Sequence, residues 1–417
     1  MNGKTGSSHR CTSDNHHLPF YVCDSSAVAI TNQLPSIMKK ILTITLLALA
    51  STTAASAAMS PMLQHRCSLH SFLVSPLAPP KKPQPPTIAE LLLQRLQSLQ
   101  QRGYMFGHQD DTFYGLKWEW EAGKSDILAT VGDYPAVMGF DLGGIEMGDA
   151  KNLDSVPFTR IREEIIRHHQ RGGIITISWH PRNPVTGGTA WDVSDNTVVQ
   201  KILNDPASKE KFSLWMQRVA SFLKKLKTPD GQRIPIIFRP WHENNGSWFW
   251  WGQKLCSDEE FHALWNTLQD YLCAQGLDNL LWSYSPNLDG GWNEQRFLAR
   301  YPGNDRVQLL GEDAYQWGTE QDFVKALTAD LDFLDAFCKK NDKMYAMTEC
   351  GYKNIPDPTW WTRVLKPIMD RYRISYFHTW RNYKKEFFAP DPDQYSAEDF
   401  KALFRAPNTL FLLDIVE

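Results

Sequence analysis

Eight short apolar runs, each followed by a polar cluster and usually by an amphipathic stretch, constrain this chain more than any other feature. The runs are Tyr104–Gly107, Ala136–Phe140, Ile174–Ser178, Ile234–Phe238, Leu280–Ser283, Val307–Leu310, Met344–Met347 and Ile374–His378. Their length and their β-branched or aromatic content predict buried strands. Helical patterns fall around Ile161–His169, Lys209–Leu226, Glu259–Ala274, Gln321–Lys340 and Trp360–Arg371. Thr87-Ile88-Ala89-Glu90 has the form of a capping box opening a first helix with Leu91, Leu92, Leu93, Leu96 and Leu99 on its apolar side. Ser257-Asp258-Glu259-Glu260 and Thr319-Glu320-Gln321-Asp322 are further start signals. This alternation over roughly 330 residues fits a (β/α)8 TIM barrel in a single domain, 87–417. An open doubly wound sheet is the alternative, weakened because no GxGxxG or P-loop follows any strand.

The polar clusters favour the barrel. The runs end in His108-Gln109-Asp110-Asp111, Asp141, Trp179-His180, Arg239-Pro240-Trp241-His242-Glu243, Tyr284-Ser285-Pro286-Asn287, Glu312-Asp313-Ala314-Tyr315, Thr348-Glu349 and Thr379-Trp380-Arg381-Asn382. On a barrel all these ends converge on one face. The richest is Ile236–Gly252, IIFRPWHENNGSWFWWG, where a buried strand gives way to Arg239, His242 and Glu243 and then to Trp248, Phe249, Trp250 and Trp251. Core strands seldom place Arg, His and Glu within five residues unless those groups are paired or functional.

Charge and composition narrow the partners. The net charge is −3 with Lys and Arg scattered, which argues against nucleic acid and a polybasic membrane contact. The 16 Trp exceed what a core needs. Stacking of sugar rings is one use for them, and large-core packing is the other. At the amino terminus, Met38-Lys39-Lys40 precedes ILTITLLALASTTAASAA, the pattern of a signal peptide over 38–58 and too short an apolar run for a good membrane span. Residues 1–37 read as a doubtful extension, 59–86 as a Pro-rich linker, and the chain is expected to be exported. Of seven Cys, Cys67, Cys256, Cys273, Cys338 and Cys350 lie beyond the leader; the odd number leaves at least one thiol free, and no spacing is a metal pattern.

Two carboxyl groups carry the chemistry, Glu243 after the fourth strand and Glu349 after the seventh. These strands lie nearly opposite in a barrel, so the two groups can face each other across a sugar-sized cleft. One can protonate a leaving oxygen while the other attacks the anomeric carbon. Arg239 lies near enough to hold a carboxylate in its charged form, and His242, as a strand neighbour of Glu243, is expected to point away from it. Other chemistries fit less well. Gly246 stands where HExxH needs its second His. His108, His180 and His242 could form a three-His metal site, but each is more simply a group that bonds sugar hydroxyls. No Ser or Cys sits in a nucleophile elbow.

At this point the motifs resemble a known family. RPWHENNGSWFWWG at 239–252 resembles the acid/base motif of glycoside hydrolase family 26. So do FGHQDDTFYG at 106–115, ISWHPRNPVTGG at 177–188, YPGNDRVQLLGEDAY at 301–315, TECGY at 348–352 and HTWRN at 378–382. The resemblance implies a retaining endo-β-1,4-mannanase on a (β/α)8 barrel, with Glu243 as acid/base and Glu349 as nucleophile. It implies that His180, His242, Trp248, Tyr315 and Trp380 line the subsite of the attacked sugar. Asp313 and Arg381 match supporting and neighbouring-subsite positions, and His108 matches a strand-end His of unassigned role. Trp241 and Asn244 depart from the family pattern, where many members carry an aliphatic residue and a Met. The family also acts on β-1,3-xylan and mixed-linkage β-glucan. The expected partner is a polysaccharide or oligosaccharide, with no cofactor or metal required and a monomer as the simplest state.

Overall fold

The computed structural model describes residues 85–416. The expected extension, the signal peptide and nearly all of the linker lie outside them. Eight parallel strands close into a barrel: β1 (Tyr104–Gln109), β2 (Val137–Asp141), β3 (Ile174–Trp179), β4 (Ile236–Pro240), β5 (Leu280–Tyr284), β6 (Leu309–Tyr315), β7 (Met344–Gly351) and β8 (Tyr376–Thr379). β1 pairs with both β8 and β2, which closes the ring. A two-residue strand, β9 (Thr409–Leu410), adds to β1 from outside. All eight predicted strands are present, and several run further than expected. β1 includes His108, β6 runs through Asp313 to Tyr315, and β7 includes Glu349.

Every residue of β1, β2, β3, β4, β5, β7 and β8 is buried, as a parallel sheet covered on its outer face requires. Helix α1 (Ile88–Leu99) is opened by the predicted capping box, with Thr87 and Glu90 each accepting the other's backbone N–H. Its Leu92, Leu96 and Leu99 cluster with Met105, Val137, Ile237, Leu281, Leu309, Ala346 and Tyr376. Strand alternation thus points one set of residues into the barrel, where α1 plugs the amino-terminal end. The same period carries Ile237 at the floor to Arg239 near the mouth.

The outer layer is a second, larger apolar cluster. It joins the other face of each strand, such as Ile236 and Phe238, to α3 (Phe158–Gln170), α5 (Pro206–Leu223), α6 (Asp258–Ala274) and α8 (Glu320–Asn341). The predicted start signals cap α6 and α8, Ser257 with a full capping box and Thr319 by accepting the Asp322 N–H. Sequence periodicity does not show the short helices α2 (Asp126–Val131), α4 (Val198–Asn204), α7 (Glu294–Leu298) and α10 (Ala397–Phe404). They span only one or two turns, below the length at which a period is legible. The predicted helix at 360–371 begins as a π-turn, Trp361–Leu365, that runs into α9 (Lys366–Met369). Among the described residues, Cys256, Cys338 and Cys350 are free and buried, and no helix is long and apolar enough to cross a membrane.

One buried carboxylate fixes the β5 loop over the barrel mouth. Asp330 on α8 accepts four successive backbone N–H groups, from Asp289, Gly290, Gly291 and Trp292, at 2.7–3.0 Å. The loop's donors are satisfied by a charge, which makes each bond stronger than a neutral one. Asp330→Ala should therefore lower stability by about 2–3 kcal/mol or more, with Asp330→Asn intermediate, as read by thermal or denaturant unfolding.

Candidate active site

The site is built where β4, β6 and β7 end. β4 stops at Pro240, and the chain then turns with Trp241 and Glu243 both in the left-handed region, at φ 53° and 51°. Such geometry is costly for side-chain-bearing residues and persists only when neighbours hold it. Here the Glu243 N–H donates to the Ser285 carbonyl at 2.8 Å. Asn245 adds a two-way clamp to the β5 loop, its Nδ2 donating to the Asn287 carbonyl and its Oδ1 accepting the Asn287 N–H, each at 2.8 Å. Because the strand has ended, strand alternation does not govern His242. Its buried ring instead packs edge-on against His180, with centroids 4.3 Å apart, and against Phe249 at 5.1 Å.

Glu243 is half-buried and accepts a hydrogen bond from Trp248 Nε1 at 2.6 Å. Gly246 makes this possible. A Cβ there would stand 2.4 Å from the Trp248 ring, so only glycine lets the indole fold back across the turn. The rest of the aromatic run is not a floor for ligand. Phe249, Trp250 and Trp251 are buried, and the indoles of Trp250 and Trp251 bond the Pro181 and His242 carbonyls. They are pillars under the turn, and Trp248 alone of the four faces solvent.

Glu349 lies within β7, at its carboxyl end, and is nearly buried. It accepts from Arg239 Nη2 and, at 2.7 Å, from the Tyr315 hydroxyl. Arg239 Nη1 donates to Asp313 at 2.8 Å, and Thr348 Oγ1 donates to the same carboxyl at 2.6 Å. A register shift between β6 and β7 sets Asp313 opposite Glu349. That irregularity aims both side chains at one guanidinium. One carboxyl oxygen from each of Glu243, Asp313 and Glu349 lies within 4.8 Å of the others.

The remaining predicted residues form a surrounding layer. His180 Nδ1 meets Asp141 at 2.7 Å, and Ser178 Oγ donates to the same carboxyl. Trp380 packs edge-on to His180 at 6.2 Å. Arg381 pairs with Asp154 at 2.8 Å and lies over Tyr114 and Tyr383, one step away from the carboxyl pair. His108 is turned to Asp111, at 2.7 Å, and to Phe106. His108 therefore stands apart from the His180–His242 pair. Among the described residues the one trio close enough to share an ion is Glu243, Asp313 and Glu349, and Arg239 already bonds two of its members. Sequence reasoning missed Trp191, which stacks on His180 at 5.5 Å and 19°, and the supporting roles of Asp141, Ser285 and Thr348. A lone Trp in a polar loop gave no signal, whereas Asp141 at the end of β2 was visible as a strand-end acid.

The electrostatics separate the groups. Burial, and then the neighbouring Glu349 charge, push the Glu243 carboxyl up to about 7. Burial alone would lower His180, but Asp141 beside it overrides that and the net shift is upward. Burial and the adjacent His180 hold His242 well below the usual imidazole range, so it is neutral. Burial drives Tyr315 well above the phenol range, and Glu349 beside it adds to this, so it remains a donor. A carboxyl raised from 4.5 to about 7 binds its proton more tightly folded than unfolded. Glu243 therefore costs stability progressively as pH rises from about 4.5 to 7. Glu243→Gln should raise the unfolding temperature at pH 7 and lose that advantage by pH 4, in parallel melts of the two proteins.

A closed barrel with two facing carboxyl groups at its carboxyl-terminal mouth is the architecture of a carbohydrate-cleaving barrel. The sequence pattern of glycosyl hydrolase family 26 matches residues 81–411, and the chain belongs to that family. It is similar in structure to a family 26 β-mannanase from Bacteroides ovatus, with TM-score 0.76 and 45% identity, covering 78% of this chain and 95% of that one. A double mutant of an endo-β-1,4-mannanase from Cellulomonas fimi matches with TM-score 0.71 and 31% identity, covering 78% of this chain and 76% of that one. A mannan endo-1,4-β-mannosidase from Bifidobacterium adolescentis is 34% identical over 259 residues, 59% of this chain but 25% of that protein's length.

Proposed function

We propose that this protein is an exported, retaining endo-β-1,4-mannanase that cleaves mannan, glucomannan or galactomannan by double displacement. The observation that carries the reading is the approach of the Glu243 and Glu349 carboxyl oxygens to within 4.8 Å. Retaining glycosidases hold their two carboxyl groups about 5–5.5 Å apart, whereas inverting ones leave about 6.5–9.5 Å for a water. The names of the relatives support mannan as the substrate, and the signal-peptide pattern at 38–58 supports export.

Glu243, protonated near neutrality, donates to the glycosidic oxygen as the bond to the anomeric carbon breaks. Glu349 attacks that carbon from the other side and forms a glycosyl-enzyme ester. Arg239 and Tyr315 hold its two oxygens, one each, and so fix the attacking geometry. Glu243, now ionised, takes a proton from water, the water attacks the same carbon, and the ester bond to Glu349 breaks. Trp248 holds Glu243 in line through both steps.

Incubation with mannan, β-1,3-xylan and lichenan, with reducing ends measured, tests the substrate. Mannan should be cleaved fastest; faster cleavage of another β-glycan keeps the chemistry and moves the specificity, and cleavage of none leaves a sugar-binding barrel. The first product should keep the β-configuration by NMR, and Glu349→Ala should abolish turnover without loss of fold. kcat/KM should fall as pH rises through about 7, where Glu243 loses its proton. Tyr315→Phe should reduce kcat about tenfold through the loss of one bond to Glu349, measured on the same substrate.

A further inference from the structure

We infer that Trp317 is a stacking platform for a sugar ring bound beyond the one that meets Glu349, and so helps to set how long a chain the protein grips. The inference rests on the proposed action on a β-linked polysaccharide. It begins from which indoles face solvent. Of the 16 Trp, those strongly exposed among the described residues are Trp191 at 48%, Trp248 at 40% and Trp317 at 70%. Isolated exposed apolar side chains need no explanation. These three are not isolated, because each touches a residue of the carboxyl centre or of the layer around it. Trp248 bonds Glu243, Trp191 stacks on His180, and Trp317 stacks on Tyr315, which bonds Glu349.

Trp317 is the outermost. Its ring lies 5.4 Å from that of Tyr315 at 27°, an offset stack that covers one indole face and leaves the side chain mostly in water. The backbone beneath it is fixed rather than loose. Gln316 is buried, its N–H donates to the Gly351 carbonyl at 2.9 Å, and its Oε1 accepts from Trp360 Nε1 at 2.7 Å. Phe388 closes on the Tyr315 ring edge-on at 5.5 Å. A large flat apolar face is thus held in position and left open at the rim of the site. Pre-organisation of that kind lowers the entropy a ligand must lose on binding. The apolar face of a hexopyranose, with its axial C–H groups, matches an indole, and a ring seated there lies outward of the unit that Tyr315 and Glu349 reach.

The test compares Trp317→Ala and Trp317→Phe with the parent chain on a trisaccharide and a hexasaccharide of whichever β-glycan the parent cleaves best. A failure of mannan as substrate then shows in the parent alone, and a failure of the platform shows only in the variants. Trp317→Ala should lose about tenfold in kcat/KM on the hexasaccharide, mostly through KM, and markedly less on the trisaccharide. Trp317→Phe should recover part of the loss. An equal loss on both lengths, carried by kcat, would mean that Trp317 only props Tyr315, and would overturn the platform. So would unchanged kinetics on both.

Discussion

The guanidinium of Arg239 is the interaction on which the rest of the site depends. It is buried inside the barrel and bonds Asp313 on one side and Glu349 on the other. Three carboxyl groups stand within 4.8 Å of one another, and this one cation serves two of them. Glu243 is the member Arg239 does not bond, and burial, then the Glu349 charge beside it, raise its affinity for a proton. Asp313, fully buried and also held by Thr348, is the group that keeps Arg239 in register. A charge so deeply placed would be costly alone and is tolerable because every partner is in contact with it.

Around that core the protein uses rigid supports rather than many ligands. The Glu243 turn is clamped to the β5 loop by Asn245 and by the Glu243 N–H. The β5 loop is in turn held by Asp330 from the helix layer. Phe249, Trp250 and Trp251 fill the space beneath, and the His180–Asp141 pair fixes the opposite wall. Each side chain at the centre is thus backed by another whose own position is bonded. Such support is what holds reacting groups to within fractions of an ångström.

Much of this was legible in the sequence. Eight apolar runs gave the barrel because buried parallel strands are continuous and apolar, and the polar residues that follow them gave the mouth. Glu243, Glu349 and Arg239 stood out because charges at the end of a core strand demand partners. What was not legible was local geometry. The alternation that points a strand's side chains in and out stops at Pro240, so it says nothing of which rings His242 packs against, and nothing in residue type announces a left-handed Trp241. The aromatic run after Gly246 left sugar stacking and core packing both open, and three of its four rings are buried supports. Composition cannot distinguish a ring that carries load from one that meets solvent. Trp191 and Trp317 were hidden for the converse reason, since each stands alone in a polar loop.

The sharing of Arg239 also bears on the order in which the chain can assemble. Arg239 on β4 bonds Ser285 after β5, Asp313 on β6 and Glu349 on β7, the last of them 110 residues further along the chain. A nascent barrel with only its first four strands would expose this cation to an apolar interior with neither counter-charge yet supplied. Those counter-charges arrive with β6 and β7, and the ring closes only when β8 pairs with β1. The charge network at the mouth is thus complete one strand before the ring itself is.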